Sequence, residues 1–78
     1  MGILYELLNL KGKELEVFEI DYIVDEIRDY PFTATKFTKE HRVFEFMDYY
    51  IEVKYEFDKE DSIRMKDKVK ITDVIAMY

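Results

Sequence analysis

Hydrophobic positions follow two different rules along the chain. Before Pro31 they recur with helical or mixed spacing, and from Phe32 onward they mostly alternate. Residues 21–30 carry the clearest helical signal. At about 100° per residue, Ile20, Ile23, Val24, Ile27 and Tyr30 share one arc, and Asp21, Asp25, Glu26, Arg28 and Asp29 fill the other. Asp21 reads as the N-cap, its carboxylate accepting a free backbone N–H. Pro31 ends the helix, because the residue before a proline is driven out of the α region.

The first ten residues support two readings. Leu4, Leu7 and Leu8 have helical spacing, while Ile3, Tyr5 and Leu7 alternate. Lys11-Gly12-Lys13 is turn chemistry, and Glu14-Leu15-Glu16-Val17 alternates, which favours a hairpin pivoting on Gly12. Beyond the proline, Thr33, Thr35 and Phe37 alternate with Phe32, Ala34 and Lys36. After the polar break at Lys39-Glu40-His41, Val43, Met47, Tyr49, Ile51, Val53, Tyr55 and Phe57 occupy every second position, interrupted only by Glu45. That run predicts one strand with a wet face, or two strands meeting in a bulge near Asp48. Asp58-Lys59-Glu60-Asp61 is a charged turn. Ile63 and Met65, then Val69, Ile71, Val74 and Ile75, supply the last strand, broken around Asp67. The expectation is a single α+β domain over residues 1–78. It has an antiparallel sheet of four to six short strands and one amphipathic helix, about residues 21–30, packed on one face.

Composition narrows the class. A chain of 78 residues supports one modest core, and 49% hydrophobic with 17% aromatic residues is too apolar for disorder. Six Phe and seven Tyr, with no Trp, make large rings the main source of core volume. The absence of Cys removes disulfides, thiolate metal sites and a cysteine nucleophile, and fits a reducing compartment. No apolar run approaches the roughly 18 residues of a membrane span. The first residues lack the basic and small-residue signature of a signal peptide, and Glu6 stands where a myristoylation motif needs Ser or Thr. A cytoplasmic, unprocessed protein is expected.

Residues with catalytic chemistry are sparse. His41 is the only histidine, and its neighbour Glu40 points to the opposite side of a strand, so it reads as a solvated turn residue. Ser62, the only serine, has no nucleophile-elbow context. The 58–61 carboxylates lack the glycine and spacing of a calcium loop, and Gly2 and Gly12 cannot build a phosphate cradle. These patterns predict neither an enzyme nor a metal or cofactor, and therefore a protein that acts through its surfaces.

Charge is unevenly spread. Residues 1–34 carry three Lys/Arg against eight Asp/Glu, and residues 35–78 carry nine against ten, within a net charge of −6. The acid concentrates in Glu14, Glu16, Glu19, Asp21, Asp25, Glu26 and Asp29. Asp21, Asp25 and Asp29 fall at i, i+4 and i+8, a like-charged stripe that costs a helix a few tenths of a kcal/mol per pair. Such a face suits a cationic partner. The leading expectation is a small acidic binding module, a regulator or inhibitor that offers these carboxylates to a basic, nucleic-acid-handling protein.

One rival is a nucleic-acid binder using Arg64, Lys66, Lys68 and Lys70, which fall on alternate positions, although the net charge makes direct nucleic-acid binding the weaker reading. The other is a structural subunit of a larger assembly. Phe44 and Phe46 are expected to share a strand face with Tyr50, and Tyr49, Tyr55 and Phe57 the other. Rings on both faces imply a further covering layer, and Phe44, Phe46 and Tyr50 would form a self-association surface.

Overall fold

The computed structural model describes residues 3–27 and 31–77. Two helices, α1 (Ile3–Leu8) and α2 (Val17–Ile27), are combined with five strands: β1 (Glu14–Glu16), β2 (Phe32–Phe37), β3 (His41–Phe46), β4 (Tyr50–Glu56) and β5 (Lys68–Met77). The strands form one antiparallel sheet in the order β1-β5-β4-β3-β2. The fold is therefore α+β. Consecutive strands β1 and β2 lie at opposite edges, and the chain through α2 links them.

The first element is a helix rather than the expected hairpin strand. In six residues the two spacings are indistinguishable by pattern, so packing decides. Helical geometry buries Leu7 completely and half-buries Leu4 in the common core. Gly12 does turn the chain, but between α1 and β1. Its φ of +87° is open to glycine at little cost, and its N–H donates to the Ile71 carbonyl at 2.7 Å.

Helix α2 begins four residues before the expected start, and Asp21 is inside it rather than capping it. Glu16 ends β1 and stands at the N-cap, where its N–H donates to Glu19 Oε1 at 2.8 Å, one half of a capping box. The next two amides are satisfied from far along the sequence. Val17 N–H donates to the Asp67 carbonyl at 3.1 Å and Phe18 N–H to the Met65 carbonyl at 2.8 Å. Val17, Ile20 and Val24 are fully buried, in one cluster with Phe44, Ile51, Val53, Val69 and Ile71. The predicted continuation through Arg28, Asp29 and Tyr30 lies outside the described residues.

The long alternating run is two strands, with the chain reversing at Met47–Tyr49, where Phe46 N–H donates to the Tyr49 carbonyl at 2.7 Å. Phe44 pairs with Ile51 and Glu45 with Tyr50, so the reversal moves the buried register from even to odd positions. A second change of phase occurs in β5, where Val69 and Ile71 are buried and then Val74. Its cause is a bulge: Lys54 pairs with Asp73 and Tyr55 with Ile71, which leaves Thr72 unpaired. A third irregularity, at Thr35, bends edge strand β2.

Asp67 organises the link before β5. It is 7% exposed, and its Oδ2 accepts the Arg64 N–H at 2.9 Å, while the Asp67 N–H donates to the Arg64 carbonyl at 3.0 Å. The same turn presents the carbonyls that receive the first amides of α2. Replacing Asp67 by Ala leaves the Arg64 amide without its carboxylate and loosens that docking. A loss of about 1–3 kcal/mol is expected in urea unfolding, with Asp67→Asn losing less because its amide oxygen can still accept.

Candidate functional site

The carboxylates singled out from the sequence do not form one surface. Glu14 lies opposite Lys70, and Glu16 opposite Lys68, in the β1–β5 ladder. Asp21 is turned to the sheet. Its two oxygens accept from Arg42, Nε at 3.0 Å and Nη2 at 2.6 Å, a bidentate pair with the Arg42 side chain 12% exposed. The guanidinium also lies 5.3 Å and 5.5 Å from the ring centroids of Phe37 and Phe44. Asp21 thus leaves the expected acidic stripe, and Asp29 lies outside the described residues. Glu19, Asp25 and Glu26 are exposed positions of α2.

Between these acids stand two large rings. Phe18 and Tyr22, one helical turn apart, are 48% and 62% exposed. Around the helix, residues 18, 19, 22, 25 and 26 occupy about one third of the circumference at the helical period. The result is a pair of aromatic side chains bordered by three carboxylates. Sequence reasoning passed over the rings because the arc beginning at Ile20 left Phe18 outside the helix. The signal was nonetheless present, since Val17, Ile20 and Val24 form an i, i+3, i+7 series that carries Phe18 and Tyr22 together on another side.

Arg42 also had a readable signal. It precedes Phe44 and Phe46 in the same alternating register, and a cation among core rings requires a carboxylate partner. Which carboxylate answers it was unreadable without the topology.

The other two candidate surfaces are rearranged as well. Arg64 and Lys66 fall in the turn region preceding β5, and only Lys68 and Lys70 are strand residues. Lys70 has Glu14 opposite it on one side and Glu56 on the other, so the basic ridge is split in position and interleaved with acid. Arg64 Nε lies 3.8 Å from Asp67 Oδ2. Of the expected aromatic interface, Phe44 is fully buried and Phe46 nearly so, packed with Phe32 at ring-centroid distances of 5.8 Å and 5.7 Å. Phe46 stacks on Tyr49 at 4.9 Å. Tyr50 is on the opposite side of the sheet from Phe44, because directly paired residues share a face and Tyr50 pairs with Glu45. The three residues do not constitute one surface.

His41 is not a free turn residue. It opens β3, and its Nδ1 lies 2.6 Å from Glu52 Oε2 on β4, with the two side chains 24% and 16% exposed. Register explains the meeting: Val43 pairs with Glu52 and His41 with Lys54, which makes His41 and Glu52 diagonal neighbours. Among the described residues, no three His, Asp or Glu side chains gather as a metal-binding group. No helix of the described residues is long and apolar enough to cross a membrane.

No family model matches the chain, and no curated protein or solved structure shows detectable similarity to it.

The Asp21–Arg42 pair has a third neighbour in Tyr55. Burial holds the Tyr55 phenol above the ordinary tyrosine range, with Arg42 pulling it down and Asp21 pushing it up, and its O–H donates to the Thr38 carbonyl at 2.6 Å. A raised acid pKa in the folded state means that the unfolded chain loses this proton first. The contribution is therefore intact below about pH 10 and is lost as pH rises beyond it. Unfolding followed against pH should show stability falling on the alkaline side, and Tyr55→Phe should flatten that fall while removing the bond to Thr38.

Proposed function

We propose that the protein works by binding another protein through α2. In this reading α2 keeps Val17, Ile20 and Val24 against the sheet and offers Phe18 and Tyr22, bordered by Glu19, Asp25 and Glu26, to a basic partner. The carrying observation is the pair of half-exposed rings one turn apart among carboxylates. Exposed aromatic side chains cost solubility and gain the chain nothing by themselves, and rings of this type dominate the buried centres of protein interfaces.

The two kinds of group divide the work. Carboxylates at the rim attract a positively charged surface and raise the association rate, in a way that salt weakens. The rings, once covered, control dissociation, since most affinity differences among related complexes lie in the off-rate. A net charge of −6 acts in the same direction as the rim. The partner that fits has Lys or Arg around an apolar notch, as on proteins whose basic grooves handle nucleic acid. Occupying such a groove makes this chain a regulator or inhibitor of that partner. Glu14, Glu16 and Asp21 serve the fold in this reading, Glu19 both caps α2 and borders the rings, and Asp25 and Glu26 serve binding.

Partners captured from the native host with the intact chain, identified by mass spectrometry, provide the test when each is remeasured with purified protein. Phe18→Ser with Tyr22→Ser should raise the dissociation rate about tenfold or more. Glu19→Gln with Glu26→Gln should instead slow association several-fold and reduce its salt dependence. Both variants should unfold at nearly the wild-type temperature, since the altered side chains are exposed and a glutamine oxygen at position 19 still accepts the Glu16 amide. A partner that binds all three chains alike, or that has no basic surface, overturns the proposal.

A further inference from the structure

The sheet carries a second feature that the α2 reading leaves unused. Beside the His41–Glu52 pair lies an open groove of about 310 Å³. Its lining includes Val43, itself 7% exposed, with Lys36 on β2 and Glu45 on β3. Thr35, Tyr50, His41 and Glu52 complete it. The register accounts for this arrangement. Val43 pairs with Lys36 on one side and Glu52 on the other, so strands β2, β3 and β4 bring their polar groups around one apolar position.

The lining has a definite chemical character. Of the two carboxylates, Glu52 is engaged by the His41 imidazole and Glu45 shares the groove with the Lys36 ammonium, so the lining carries both signs of charge. Hydroxyls come from Thr35 and from Tyr50, whose O–H donates to Met77 Sδ at 3.0 Å and leaves oxygen lone pairs to accept. Glu52 takes up Nδ1 of His41, which leaves Nε2 as the ring's second polar atom. Donors and acceptors are therefore mixed around an apolar floor and beside an aromatic ring. The volume is at the lower end of the range for small-molecule sites, which limits the occupant to about one ring.

We propose that this groove is a binding site for a neutral, polyhydroxylated ring of monosaccharide size. Such a molecule offers hydroxyls that both donate and accept, together with C–H surface that can lie on Val43 and against the Tyr50 ring. A ligand of either charge is repelled by one of Lys36 and Glu45 as it is attracted by the other, so charge gives it no advantage over a neutral one. With one side open to water, the affinity is on the order of millimolar. The site is independent of the α2 surface, and its failure would leave the binding role of α2 untouched.

The test is a titration of the isotopically labelled full chain by NMR with four probes: methyl glucoside, glycine, methylammonium and acetate. Methyl glucoside should shift the His41, Val43 and Tyr50 signals saturably, and the three charged probes should not. Lys36→Ala and Glu45→Ala, both at exposed positions where the fold is at little risk, should each weaken the glucoside about fivefold, as expected for one lost hydrogen bond. Tyr22→Ala, on α2, should leave the glucoside affinity unchanged. The proposal is overturned if the glucoside gives no saturable shift up to about 100 mM, well above the expected affinity. It is equally overturned if a charged probe binds more tightly, or if both groove variants bind the glucoside as the native chain does.

Discussion

The first backbone amides of α2 must find acceptors, and where they find them organises this molecule. A helix leaves its first four N–H groups without partners inside itself. Here the Glu19 carboxylate takes that of Glu16 at the N-cap, and the carbonyls of Asp67 and Met65 take those of Val17 and Phe18, respectively. Those carbonyls are held in place by a turn closed on the Asp67 side chain. A strand therefore passes into a helix with no intervening loop, and the start of α2 is docked to the entrance of β5, the strand that pairs with β1.

Starting the helix at Val17 sets the rotation of everything after it. Asp21 comes to Arg42 and forms a bidentate pair among Phe37, Phe44 and Tyr55. Phe18 and Tyr22 are left in solvent. The same rotation therefore supplies one link between helix and sheet and the two exposed rings on which the binding proposal stands. A helix beginning at residue 21, as the arc of apolar positions suggested, would have made Asp21 a surface cap and left Arg42 without an acceptor. A partly buried guanidinium in that condition costs several kcal/mol, which is reason enough for the earlier start.

The sheet solves a different problem, that of burying rings and their aliphatic neighbours on one side in a chain of 78 residues. Phe44 and Phe46 go inside with Ile51, Val53 and Tyr55, and the bulge at Thr72 keeps Val69, Ile71 and Val74 on the same side despite their odd-to-even spacing. The opposite side is left to paired and mixed charge, with His41, Glu52, Lys36 and Glu45 around Val43. The two sides thus differ in kind. Carboxylates border a pair of rings on α2, whereas the strand face mixes both charges around an apolar floor.

Much of the fold's class was legible in the chain itself. Alternation after Pro31 predicted antiparallel strands, the helical arc predicted α2, and the charged stretch at 58–61 predicted a break before the last strand. These are local properties, because side-chain period follows directly from backbone geometry. The α1 helix was not legible, since Leu4, Leu7 and Leu8 satisfy one period and Ile3, Tyr5 and Leu7 the other over too few residues to choose. The site was less legible still. Asp21 with Arg42, His41 with Glu52, and Lys70 between Glu14 and Glu56 are meetings set by strand order and register. A one-residue change of register exchanges the faces, and a bulge or reversal shifts the phase, without leaving a mark on composition or spacing. The amino-acid order determined a helix before Pro31 and antiparallel strands after it. Only the tertiary structure decided which charges would be consumed by the fold and which remain at its surface.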